Sequence, residues 1–111
     1  MSKSQQHKGR AGELELVRVL NDHNIPARPG DPVSYGTTPD VVGVPGIHCE
    51  VKRVEKLNIQ TAIDQAVQDA DRFQDGAPAV FHRRNRKQWL VTMQLDDWLK
   101  FYMESNYRYV C

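Results

Sequence analysis

The stretch TPDVVGVPGIHCEVKR, residues 38–53, decides the fold of this chain. Its two apolar segments flank Pro45 and Gly46, a dipeptide that is typical of a tight turn. The pattern therefore predicts two neighbouring β-strands, over residues 40–44 and Ile47–Arg53.

The charged residues of the second strand share a face, because alternate side chains of an extended strand point the same way. Glu50 and Lys52 are two residues apart, and Asp40 follows a proline at the start of the first strand. Two carboxylates beside a lysine can hold a hard divalent cation and stabilise a phosphate, as nuclease chemistry requires. A Glu-x-Lys pair alone is more typical of a solvated outer face.

Whether Asp40 reaches Glu50 depends on the register of the two strands. A simple two-residue turn would pair Asp40 with Val51 and direct its side chain to the wrong face. A three-residue turn, or a bulge at Gly43 or Gly46, would place Asp40 opposite Glu50, with Cβ atoms about 5 Å apart. The metal hypothesis requires this second register.

A third acid lies on a predicted helix, residues 8–23. On a wheel of about 100° per residue, Glu13 falls in the middle of the apolar stripe that the helix's leucines and valines form. An unpaired carboxylate is costly there. We therefore expect Glu13 either to pair with a buried Arg or Lys, or to reach a metal shared with Asp40 and Glu50. Glu15, on the other side, is expected to be an ordinary surface acid.

The remaining hydrophobic periodicity predicts the rest of one domain. Its elements are a short strand near Ala27, a helix over 58–73 capped by Asn58, strands over 79–82 and 89–92, and a helix over Leu95–Glu104 capped by Gln94. The tail from Ser105 is not assigned. The order α-β-β-β-α-β-β-α predicts an α/β domain of the α+β type, residues 1–111, with a central mixed β-sheet flanked by helices. Gln65 and Asp69 lie at the margin of the apolar stripe on the second long helix.

Composition excludes several classes of protein. The chain has 111 residues, of which 40% are hydrophobic and 26% charged, as in an ordinary soluble globular domain. No apolar run approaches the roughly 20 residues that span a bilayer, and residues 1–6 are too polar for a signal peptide, so we expect a cytoplasmic protein without a membrane partner. Two cysteines are too few for a disulfide scaffold, and Cys49 is expected in the core.

Positive charge gathers locally, since the net charge of +1 gives no global basic field. The clusters are the helix start with Lys8 and Arg10, the strand end with Lys52, Arg53 and Lys56, and the turn with Arg83, Arg84, Arg86 and Lys87. A charged turn is usually only solvated, but three clusters near an acidic site favour phosphate contacts. Trp89 and Trp98 are expected in the core. His23 and His48 are expected to be structural, although His48 shares a face with Glu50.

Three motifs taken together resemble the PD-(D/E)XK nuclease superfamily. They are KGRAGELEL at 8–16, PDVV at 39–42 and EVK at 50–52. Within the superfamily the chain is most similar to archaeal Holliday-junction resolvases and their small phage-encoded relatives. The similarity runs from about residue 8 to 99 and includes EVKRVEKLN at 50–58 and HRRNRKQWLV at 82–91.

The resemblance implies a restriction-endonuclease-like core and a specific set of site residues. Glu13, Asp40, Glu50 and Lys52 would be catalytic. The three acids and the backbone carbonyl of Val51 would bind Mg²⁺ or Mn²⁺, and Lys52 would orient the attacking water or stabilise the pentavalent phosphate. Such enzymes act as homodimers that place symmetric nicks across a four-way DNA junction.

Other positions are implied less specifically. Gln65 would support the metal-binding groups through contacts to their side chains. Archaeal members carry a serine or similar residue before the aspartate, for which Ser34, Thr37 and Thr38 are the candidates here. The location would be cytoplasmic, in the host if the chain is phage-encoded.

Two alternatives remain open from the sequence. The same chemistry could act on forks or flaps, or as a nicking activity in phage DNA metabolism. Alternatively, the chain could be a non-catalytic nucleic-acid-binding module whose acids pair with its arginines. Magnesium-dependent cleavage of junction, fork and linear DNA separates these possibilities.

Overall fold

The computed structural model describes residues 3–30 and 38–110, with side chains from Gly9 onward. The elements are α1 (Lys3–Asp22), β1 (Arg28–Pro29), β2 (Val41–Val42), β3 (Ile47–Arg53), α2 (Ile59–Phe73), β4 (Ala77–Arg83), β5 (Leu90–Met93), α3 (Leu95–Glu104) and a 3₁₀ helix (Asn106–Tyr109). This order agrees with the predicted order of helices and strands.

The strands form one mixed sheet in the order β1-β2-β3-β4-β5. β3 and β4 are parallel and are connected through α2, whereas all other neighbours are antiparallel. A parallel pair requires such a crossover, because its second strand must start at the same end of the sheet as the first. The predicted fold class, a mixed sheet flanked by helices, is confirmed.

The two long helices cover opposite faces of this sheet. Leu16 of α1 packs with Cys49 and Val51 of β3 in one buried cluster. Ala66 of α2 packs with Val80 of β4 in a separate buried cluster. Because the side chains of a strand alternate between faces, the even-numbered residues of β3 project towards α2.

Asn58 caps α2 as predicted. Its side-chain oxygen accepts a hydrogen bond of 3.0 Å from the backbone N–H of Thr61, which would otherwise have no partner within the helix. The helix ends at Gln74, which has a left-handed conformation with φ of 52°. Gln94 occupies the cap position of α3 but makes no capping hydrogen bond through its side chain.

A tight turn connects β2 to β3. The N–H of Ile47 donates to the carbonyl of Val44 at 3.1 Å, which closes a four-residue turn around Pro45 and Gly46. Gly46 has φ of 85°, and this left-handed value is the one that the third position of a type II turn requires.

A bulge at Gly43 sets the register between these strands. The turn closes Val44 against Ile47, yet Val41 pairs with Cys49, so two residues of one strand lie opposite the single residue His48 of the other. The additional residue is accommodated at Gly43, which has φ of 86°. Continuing the pairing by one residue brings Asp40 opposite Glu50. This is the register that the metal hypothesis requires.

Several predicted boundaries were wrong by a few residues. α1 begins at Lys3 rather than at residue 8, and β4 begins at Ala77 rather than at 79. β2 is only Val41–Val42, because the bulge and the turn interrupt regular pairing after Val42. The tail, left unassigned, contains the 3₁₀ helix.

α3 is the least buried of the three α-helices within residues 3–30 and 38–110, since none of its residues is buried. Trp98 is 47% exposed and stacks on Tyr102, so its predicted core position was wrong, whereas Trp89 packs against the α1-side cluster. β5, at the edge of the sheet, exposes Leu90 and Val91. Across residues 3–30 and 38–110, no helix combines the length and apolarity needed to cross a bilayer.

Gly43→Ala is expected to destabilise the fold by about 2 kcal/mol or more. An alanine at φ of 86° is strained, and its Cβ would lie 2.2 Å from the backbone oxygen of Pro26. Gly9→Ala is the matched control, because a Cβ at Gly9 in α1 meets nothing within 4 Å, and it should stabilise by about 0.5–1 kcal/mol. Urea unfolding of both variants measures the difference, and equal effects would contradict the bulge argument.

Candidate active site

Asp40 is held at the N-terminal end of β2 by the neighbouring strand. Its Oδ2 accepts a hydrogen bond of 3.0 Å from the backbone N–H of Val51. Burial, followed by the negative charge of Glu50, raises the pKa of Asp40 from 3.8 to about 7, and the charge of Glu13 adds to this effect. The hydrogen bond from Val51 and the charge of Lys52 oppose it. Asp40 is therefore a carboxylate crowded by other carboxylates.

Glu50, on β3, lies beside Asp40 and is only 4% exposed. Its Oε1 is 3.6 Å from the Nζ of Lys52. That ammonium group also donates a 3.1 Å hydrogen bond to Oε1 of Gln65 on α2. The structure therefore brings Glu50, Lys52 and Gln65, three of the predicted site residues, into contact. Gln65 contacts Lys52 and not an acid.

Glu13 reaches the same region from α1. Its carboxylate is 3.4 Å from the guanidinium of Arg10, which lies one turn earlier on the helix. The same guanidinium donates a 3.1 Å hydrogen bond to the carbonyl of Gly30. Burial raises the pKa of Glu13, opposed by the hydrogen bond and charge of Arg10, and the charge of Glu50 raises it further. Of the two alternatives for Glu13, pairing with an arginine is present, although Arg10 is partly exposed rather than buried, and Glu13 also interacts electrostatically with Glu50.

A second group of ligating atoms was not predicted. The ligand atoms of His48, Glu50 and Asp69 all lie within 4.8 Å of one another, and Glu13 and Asp40 are not part of this close group. The sequence carried two signals for it, namely the i, i+2 spacing of His48 and Glu50 and the position of Asp69 at the margin of the α2 stripe.

His48 is almost completely buried within this group. Its Nδ1 is 2.9 and 3.0 Å from the two carboxylate oxygens of Asp75, and its Nε2 is 3.8 Å from Oε2 of Glu50. Its ring stacks on Phe73 with centroids 6.2 Å apart. Burial lowers the pKa of His48, but Glu50 and Asp75 outweigh burial and leave the pKa above its ordinary value.

Three residues predicted to bind DNA pair with acids, and the first of them, Arg10, contacts Glu13. Arg53 donates to Glu15 at 3.1 Å, and Arg83 forms an ion pair with the other oxygen of the same carboxylate. Burial raises the pKa of Glu15, but Arg83 and Arg53 together lower it below its ordinary value. The interpretation of Glu15 as an ordinary surface acid was therefore wrong. Sequence reasoning missed this triad because its members are separated by up to 68 positions.

Part of the positive charge of the β4–β5 turn lines a surface groove. This groove, of about 630 Å³, lies between the end of β3, the start of α2 and the β4–β5 turn. Its basic lining comprises Lys56, His82, Arg83, Arg84 and Lys87. Arg84, Arg86 and Lys87 are exposed, so the structure leaves them accessible to a partner.

Other predicted residues are placed only in part. The side chain of Lys8 and the candidates Ser34 and Thr37 lie outside the described residues. Thr38 is described and partly buried. The contact of Val51 with the site is made by its N–H, so ligation through its carbonyl stays a prediction.

Comparison of the chain with protein-family models, with curated proteins and with solved structures finds no match.

Asp40→Asn is expected to stabilise the metal-free protein at pH 8. A carboxyl with a pKa of about 7 in the folded state and 3.8 unfolded binds its proton more tightly when folded, so its contribution to stability falls as the pH rises between these values. The substitution removes that loss, which is on the order of 1 kcal/mol or more.

Urea unfolding in EDTA at pH 4 and pH 8 measures this effect. The variant should gain stability over wild type at pH 8 and show little difference at pH 4. Asp22→Asn, an exposed acid on α1, is the control and should show no such pH dependence. A wild-type pH profile in Asp40→Asn would contradict the crowding of carboxylates.

Proposed function

We propose that this protein is a metal-dependent DNA endonuclease that hydrolyses phosphodiester bonds. The observation that supports this best is the bulged register, which sets Asp40 opposite Glu50 with Lys52 on the same strand face as Glu50. A strand face that was only exposed to solvent would not require a left-handed glycine to bring the buried Glu50 and the partly buried Asp40 together.

The residues fit a hard divalent cation. Burial raises the pKa values of Asp40 and Glu13, and the negative charge of Glu50 raises both further. Oxygen ligands of this kind suit Mg²⁺ or Mn²⁺, and a bound cation would offset their mutual repulsion. The metal would supply a more acidic bound water and would polarise the phosphate.

Lys52 would act on the phosphate. Its ammonium group lies between the carboxylate of Glu50 and the amide of Gln65, and these two contacts fix its position at the edge of the acidic group. A fixed positive charge there offsets the charge that develops on the phosphate oxygens in the transition state. Gln65 acts on the reaction through the position of Lys52.

DNA would contact the groove beside this site. Arg84 and Lys87 line the groove and Arg86 lies on the same turn, so exposed cations approach the phosphate backbone. Arg53 and Arg83 share the single negative charge of Glu15 and would contribute less. The groove therefore provides affinity through a few local cations rather than through net charge.

The foremost substrate is a four-way DNA junction, on the basis of the resemblance to phage-type resolvases. Symmetric nicking requires two sites related by a two-fold axis, and one chain offers one such site. The exposed apolar residues of β5, α3 and the tail form an uncovered surface that a second copy would bury. They include Leu90, Leu95, Trp98, Phe101, Tyr102, Met103, Tyr107 and Tyr109.

A non-catalytic binding module is the alternative from another class. In such a module the acids would serve as partners of arginines. In the described ranges the arginine pairs fall on Glu13 and Glu15, whereas the ion pairs of Glu50 are with Lys52 and His48. The distribution favours the enzyme.

Asp40→Asn and Glu13→Gln are expected to abolish magnesium-dependent cleavage of labelled junction DNA and to leave junction binding in calcium intact. Lys52→Ala should still bind metal but should cleave more slowly by on the order of 10²-fold or more, because it lacks a charge that acts in the transition state. Asp22→Asn and Asp64→Asn, two exposed acids, are the controls and should cleave like wild type. Full cleavage by Asp40→Asn would reject the proposed function.

The protein is expected to be a dimer at micromolar concentration and to place paired nicks in opposing strands of a junction. Phe101→Glu should yield a folded monomer that leaves single nicks, since Phe101 is 42% exposed in the isolated chain. Lys100→Ala on the same helix is the control. Sedimentation and strand mapping on junction, fork and linear duplex give the readout. A monomeric wild type that nicks once per junction would exclude junction resolution but not nuclease activity.

A further inference from the structure

The buried histidine of β3 carries a polar atom that is directed at two acids. Within residues 3–30 and 38–110, no hydrogen-bond partner reaches the Nε2 of His48, although this residue is only 1% exposed. The nearest acidic oxygen, Oε2 of Glu50, is 3.8 Å away, which is too long for a hydrogen bond. A buried nitrogen in this condition is costly, and a cation between the nitrogen and the acids would satisfy it.

Asp75 determines which nitrogen of His48 is available. In the neutral imidazole, which is the form that binds a metal, the contacts of 2.9 and 3.0 Å to a carboxylate place the proton on Nδ1 and leave the lone pair on Nε2. Metal-binding histidines in proteins almost always donate their other ring N–H to a carboxylate or carbonyl in this way. Phe73, stacked on the ring, further restricts its orientation.

Asp69 reaches the same point from α2. Gln65, one turn earlier on the helix, contacts Lys52 on β3. Four helical residues advance about 6 Å, close to the roughly 6.6 Å between alternate strand residues, so a helix that lies along β3 brings Asp69 to the next position of that face. Its carboxylate accordingly falls within 4.8 Å of the ligating atoms of His48 and Glu50.

We infer that His48, Glu50 and Asp69 form a binding site for a divalent transition-metal ion, separate from the Asp40 carboxylate. An ion at the centre of three atoms up to 4.8 Å apart is at most about 2.8 Å from each, and small side-chain movements close this to the ~2.1 Å of a metal–ligand bond. One imidazole nitrogen and two carboxylates suit Mn²⁺ or Zn²⁺ better than they suit Mg²⁺ or Ca²⁺, because the latter two ions prefer oxygen ligands only.

Glu50 would be shared between this site and the proposed nuclease centre. Its Oε2 faces His48, whereas its Oε1 faces Lys52 at 3.6 Å. The two oxygens of one carboxylate are thus directed towards different partners. The histidine site can be tested without DNA, so its failure is distinguishable from failure of the nuclease proposal.

The test is Mn²⁺ binding by the purified full chain, followed by titration and by electron spin-echo spectroscopy. Wild type should bind Mn²⁺ and show nuclear modulation from a directly bound imidazole nitrogen. His48→Gln should remove that modulation, and Asp69→Asn should weaken binding by about tenfold or more. Asp64→Asn, an exposed acid on the same helix, is the matched control and should bind like wild type.

Two further variants make the outcome decisive. Asp69 is only partly buried, so Asp69→Asn tests the site even if His48→Gln does not fold. Asp40→Asn should retain the nitrogen modulation while abolishing cleavage. Mn²⁺ binding without nitrogen modulation in wild type, unchanged affinity in Asp69→Asn, or loss of the modulation in Asp40→Asn would each overturn the inference.

Discussion

The register between β2 and β3 is the constraint on which the rest of the site depends. The left-handed conformation of Gly43 inserts one residue into the pairing and thereby brings Asp40 to the side of Glu50. Without that residue, Asp40 would face the α1 side with Cys49 and Val51, and the site would lack its second acid. A backbone feature of one residue thus determines whether the side chains can act together.

The two faces of the sheet contact their helices through different kinds of interaction. On the α1 face, apolar packing around Leu16 and the Glu15 triad hold the helix to the ends of β3 and β4. On the α2 face, Glu50 and Lys52 meet Gln65 and Asp69 in place of a continuous apolar contact. The cost of burying polar groups is therefore concentrated on one side, where a bound cation would offset it.

Much of the fold followed from the sequence, because its signals are local. Asn58 capped its helix, Pro45 and Gly46 formed the turn, and the order of helices and strands agreed with the periodicity. The choice of register did not follow, since both registers suited the residues and only the conformation of Gly43 separated them.

The candidate site was predictable only where its members are close in sequence. The spacing of Glu50 and Lys52 indicated a shared face, and the two side chains do form an ion pair. The partners of Arg53 and Arg83 could not be predicted, because the packing of α1 brings Glu15 across the sheet to them. The same limit concealed Asp69, whose proximity to His48 depends on how α2 lies along β3.

The Glu15 triad also has a consequence for how surface charge is distributed. One carboxylate pairs with two guanidinium groups and offsets part of their positive charge beside the groove that Arg83 lines. Protonation or replacement of Glu15 would expose a cationic strip along the C-terminal ends of β3 and β4, which Arg53 and Arg83 occupy. The positive surface of this domain thus depends on Glu15 as much as on the arginines. Counting the basic residues alone would overstate the positive charge of this surface.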